Sequence, residues 1–108
     1  MPRPVDALMA VAFAVLGLLG AAGAAQGAEA GEGYRLAKQW CTSCHIVAPG
    51  QAGSDAAPPF GSIANRADFS EDGLRAWLAD PHPPMPNLNL SRHEIDRVIA
   101  YLRSLRRP

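Results

Sequence analysis

Residues 41–45 read Cys41-Thr42-Ser43-Cys44-His45, and they contain both cysteines of the chain. A thiol redox pair of this spacing normally follows a strand in a βαβ unit, and no strand-like run precedes Cys41. A zinc site needs further ligands at similar spacing, and the remaining histidines are the isolated His82 and His93. A disulfide across two intervening residues closes too short a loop to stabilise anything. What remains is C-x-x-C-H, the attachment signature of c-type haem. One helical turn puts both sulfurs on the same side, within reach of the two vinyl groups of one porphyrin edge. The next residue then brings its imidazole to the iron. The motif occurs once, so one haem is expected.

Upstream, residues 7–25 carry no charged or polar side chain and end in Ala/Gly, with Ala22-Gly23-Ala24 fitting an A-x-A cleavage site. This is the layout of a secretory signal. We expect residues 1–25 to be a leader, or a membrane anchor if left uncleaved, and the rest to be exported to the periplasm. Removing the leader leaves about 83 residues. A core of that size gives only a few kcal/mol alone, so folding is expected to depend on the haem. Ten basic residues balance ten acidic ones, which excludes the net basic face of a nucleic-acid binder.

The rest of the chain divides readily. Residues 32–41 place Tyr34, Leu36, Ala37, Trp40 and Cys41 at helical steps. Residues 46–57 lack periodicity and read as a loop. Ala57-Pro58-Pro59-Phe60 is stiff, a useful property where a carbonyl must hold a ligating histidine. Ser70, Glu71 and Asp72 open a helix that carries Leu74, Trp77 and Leu78 on one face and stops at Asp80-Pro81. Trp77 can wall a haem, with its indole N–H seeking an acceptor. Residues 82–90, His-Pro-Pro-Met-Pro-Asn-Leu-Asn-Leu, form a constrained loop that holds Met85 between Pro84 and Pro86. Met85 and His82 compete there as a second iron ligand. His93 belongs to a capping box, Ser91 to Glu94, that opens a last helix to about Arg106.

These residues resemble the class I c-type cytochromes. The resemblance covers roughly Gly31 to Leu105 and rests on Gly33, Cys41-x-x-Cys44-His45, Pro58, Leu74-x-x-Trp77-Leu78, Met85-Pro86 and Ile99-Ala100-Tyr101-Leu102. It implies an all-α fold of about three main helices around one covalent haem c, in a domain spanning residues 31–106. In that fold the Pro58 carbonyl restrains His45, Met85 fills the sixth position, and the last-helix aromatic packs across Gly33. Departures are Ala37 where an aromatic is usual, leaving Tyr34 or Trp40 to fill the helix contact, Ala57 for glycine, and a short connection from Pro81 to Met85.

The implied function is single-electron transfer without catalysis, as a monomer serving redox partner proteins, with a membrane involved only if the leader is retained. Two alternatives stay open: a haem subunit dedicated to one oxidoreductase, and a five-coordinate haem that binds gas or reduces peroxide. The expected docking face is the haem edge near Ser43, Ile46, Val47, His82 and Pro83.

Overall fold

A computed structural model describes residues 3–80 and 82–108, so the expected helix stop at Pro81 lies outside the described residues. The described residues form four helices and no strand: α1 (Pro4–Trp40), α2 (Phe60–Ala64), α3 (Glu71–Ala79) and α4 (Arg92–Ser104).

The first helix is much longer than its periodic segment predicts. Its Ala- and Leu-rich first half favours helix intrinsically, Pro4 sits in the first turn where its missing N–H costs nothing, and no proline interrupts it further on. Periodicity appears only near residue 32 because the helix meets its partner α4 only from about Glu29 onward. α1 is also long and apolar enough to cross a membrane.

The second half of α1 packs on α4, and α2 and α3 pack on α4 as well. A close approach at Gly33 makes the first contact possible. A Cβ there would lie 1.9 Å from the Arg97 carbonyl oxygen and 2.8 Å from the Tyr101 Cβ, so only glycine fits. Tyr34 supplies the aromatic contact missing at Ala37, with its ring 5.3 Å from that of Tyr101. Trp40 is 47% exposed and does not contribute to this packing. Arg97 adds charge contacts of 2.8 Å to both Glu29 and Glu32, fixing the register of the two helices.

α4 supplies most of the core: Ile95, Val98, Ile99, Tyr101 and Leu102 are all buried. Each large apolar side chain contributes roughly 1.5–3 kcal/mol by leaving water. The capping box is formed, with Ser91 Oγ accepting from the Glu94 N–H and Glu94 accepting from the Ser91 N–H. Ser70 likewise caps α3 by accepting from the Gly73 N–H. α2 has five residues, too few to show a period, and it begins where the stiff Pro58-Pro59 segment ends, in residues the sequence leaves unassigned.

Candidate haem site

Cys41 ends α1, and its carbonyl accepts from the N–H groups of Cys44 (3.2 Å) and His45 (2.9 Å). The pentapeptide is therefore a tight turn that continues the helix direction. Cys41 is buried and Cys44 is exposed. Burial, and secondly the neighbouring Cys44, push the Cys41 thiol up to about 11, so it is protonated at neutral pH.

The next loop is tied back onto this turn on both sides of Pro58. The Ala57 N–H donates to the Cys44 carbonyl and the Phe60 N–H to the Ile46 carbonyl, each at 2.9 Å. Between them the Pro58 carbonyl oxygen lies 2.6 Å from His45 Nδ1. A carbonyl only accepts, so Nδ1 carries the proton and Nε2 keeps its lone pair. Phe60 meets the imidazole edge-on, with ring centroids 5.3 Å apart. Two residues beyond His45, the Val47 carbonyl accepts from the buried Tyr101 hydroxyl at 2.5 Å. The sequence does not mark this brace from α4: Tyr101 reads as a packing aromatic, and its hydroxyl target lies in a loop without pattern.

His45, Cys41 and Pro58 form one side of a cavity of about 410 Å³. Trp77, Leu74 and Leu78 of α3 and Met85, Leu88 and Leu90 of the proline-rich loop line it from other elements, and Val98 and Leu102 of α4 close it. Phe60, Ile63, Phe69 and Leu88 are wall residues that sequence reasoning did not single out. Their signal was only their hydrophobicity, in segments too short for periodicity. Arg66 and Asp68 stand at the rim, paired at 2.8 Å.

The proline-rich loop is folded into a turn, with the Met85 N–H donating to the His82 carbonyl at 2.8 Å. The Trp77 indole finds its acceptor in His82 Nδ1 at 2.5 Å, and the two rings stand edge-to-face. His82 thus meets the end of α3 through the Trp77 side chain. An indole N–H only donates, so Nδ1 of His82 holds the lone pair and Nε2 the proton. His82 is the mirror of His45. Val47 is fully buried and cannot belong to a docking face, which corrects its expected place there; its side chain is taken up by the core.

Among the described residues no three His, Cys, Asp or Glu side chains cluster as a protein-only metal centre. The donor set instead suits haem: an apolar cavity, a thiol at its wall, one imidazole with a free Nε2, and one thioether.

A helical shell closed by the first and last helices, around an apolar cavity bearing C-x-x-C-H, defines a monohaem c-type cytochrome. Residues 28–102 match the family described as "Cytochrome C oxidase, cbb3-type, subunit III", and the chain belongs to that family. It is also similar to Cytochrome c-552 of Bradyrhizobium diazoefficiens, with 50% identity over 93 residues that span 85% of this chain and 89% of the relative. No solved structure matches it. The protein is thus an electron carrier with covalently bound haem c, and it acts with redox partners.

Proposed function

We propose that the haem is attached through Cys41 and Cys44, that His45 and Met85 are its axial ligands, and that the protein carries single electrons without catalysing a reaction. When bound, the haem supplies a one-electron iron couple, and histidine–methionine ligation favours its reduced state. The chain's own residues would orient the haem, exclude water and hold its iron through His45 and Met85. The Pro58 carbonyl holds the His45 proton at Nδ1 and points the ring. Trp77 and the leucines of α3 and the loop keep the surroundings apolar.

The observation that carries this reading is the opposite protonation of the two histidines at the cavity. His45 offers the Nε2 lone pair, whereas the lone pair of His82 is taken up by Trp77. That leaves the Met85 thioether as the donor available on the loop. The oxidised protein is expected to show the weak far-red band of sulfur–iron ligation. Met85→Ala is expected to erase it, lower the potential and let carbon monoxide bind the reduced form. Survival of the band in Met85→Ala, with its loss in His82→Ala, refutes the assignment. Carbon monoxide binding by the wild-type reduced protein would instead support the five-coordinate alternative.

In this reading residues 1–25 direct export and residues 31–106 form the periplasmic, monomeric haem domain. Glu29 and Glu32 lie beyond the cleavage site and keep their contacts with Arg97 after processing. The family's description favours a second reading, a haem subunit dedicated to one oxidase. Purification from native membranes separates the two: the carrier is recovered alone, the subunit in a stoichiometric complex.

A further inference from the structure

Trp77 and His82 form a connected unit that ends on Met85. Trp77 is fixed on α3, whose start is capped by Ser70 and tied to α4 by Glu71 with Arg103 and by Arg75 with Asp96 at 3.0 Å. Its indole N–H donates to His82 Nδ1, and the His82 carbonyl accepts from the Met85 N–H at 2.8 Å. A side-chain bond thus anchors the residue whose backbone holds Met85. The described loop from His82 to Leu90 contains no helix or strand, so its position depends on such bonds and on the packing of Leu88 and Leu90 at the cavity.

We propose that Trp77 is a positioning residue for the Met85 thioether, acting through His82. The proposal rests on Met85 being the sixth ligand. His82 is thereby assigned a role as a strut rather than as a competing ligand. Removing the indole N–H leaves the walls of the cavity apolar but frees His82, and with it the turn that presents Met85. The ligand should then leave the iron more often, without any change in the resting coordination.

The test uses oxidised holoprotein and imidazole as the displacing probe, followed by loss of the far-red sulfur–iron band. Trp77→Phe and His82→Phe each remove one partner of the side-chain bond and keep the His82-position carbonyl. Each is expected to lower the imidazole concentration for half-displacement about three- to tenfold, the range set by one net hydrogen bond. The double variant should behave like either single one, because both break the same bond. His82→Gln retains an acceptor and should recover most of the loss. If Trp77→Phe fails to mature, His82→Phe and His82→Gln still decide the matter. Wild-type half-displacement in Trp77→Phe or His82→Phe, with the band absent in Met85→Ala, overturns the strut and leaves Met85 as ligand. Additive effects in the double variant also overturn it, since they mean two independent packing losses. A band that persists in Met85→Ala overturns the ligand reading itself, and the strut with it.

Discussion

The two sides of the cavity are built by different means. On the His45 side, a helix end, a tight turn and a returning loop are tied together by backbone bonds on either side of Pro58, and α4 braces the turn through Tyr101. On the Met85 side, one loop carries the donor, and described bonds hold it through a single residue, His82. The first side is redundant and the second is not. On the proposed ligation, exchange should therefore begin at Met85, and damage to the histidine side should appear as loss of fold rather than loss of a ligand.

The largest effect is expected from Cys41→Ala with Cys44→Ala. No haem should remain on the polypeptide in denaturing electrophoresis, and helical circular dichroism should fall with it, because the cavity walls lose their filling. A cooperative, fully helical protein without haem would show that the cavity side chains can collapse on one another. Next, on heating the oxidised protein, the far-red band should disappear at a lower temperature than the helical signal. Coincident transitions would mean the two sides are equally tied. Tyr101→Phe strips the donor from the buried Val47 carbonyl and should cost about 1–3 kcal/mol in denaturant unfolding, with the sulfur–iron band kept.

The smallest effect concerns α3. Arg103 hydrogen-bonds Glu71 and holds its carboxyl below the usual carboxylate range. A lowered folded-state value contributes stability that is full above roughly pH 4.3 and is lost as pH falls through the folded value. Glu71→Gln should remove that acid dependence. The pair is partly exposed and screened, so the change should be about 0.5 kcal/mol or less. A larger loss would show that α3, and with it Trp77, depends on this pair.

The histidine side was the more legible in sequence, for the same reason that it is the better tied. C-x-x-C-H is a local pattern with a fixed chemical cause, and Pro58 announces its own rigidity. The Ser70 cap of α3 and the capping box and apolar stripe of α4 are likewise local. The Trp77–His82 bond was legible only as a donor without an acceptor. Which atom receives an indole proton depends on the directions of two side chains across a helix end, and no spacing rule encodes that. The same holds for the burial of Val47. Its neighbours suggest an exposed haem edge, but its side chain points into the core while Ile46 on one side and Ala48 on the other stay partly open. The first half of α1 shows no amphipathic period because its described residues are exposed rather than packed against a partner.

The Tyr101–Val47 bond spans 54 residues. Everything that surrounds the haem lies between its ends or beside them: the returning loop, α2, α3 and the methionine loop. Closing that span is costly in chain entropy at first and cheap for each later contact. The order of assembly is thereby constrained. The cysteines are synthesised before α4, so the helix that completes their surroundings follows them. Attachment of haem to an emerging chain would precede the fold and tether the cofactor to an open coil. Until α4 has been delivered, no shorter nascent chain possesses the face against which the ring could be enclosed.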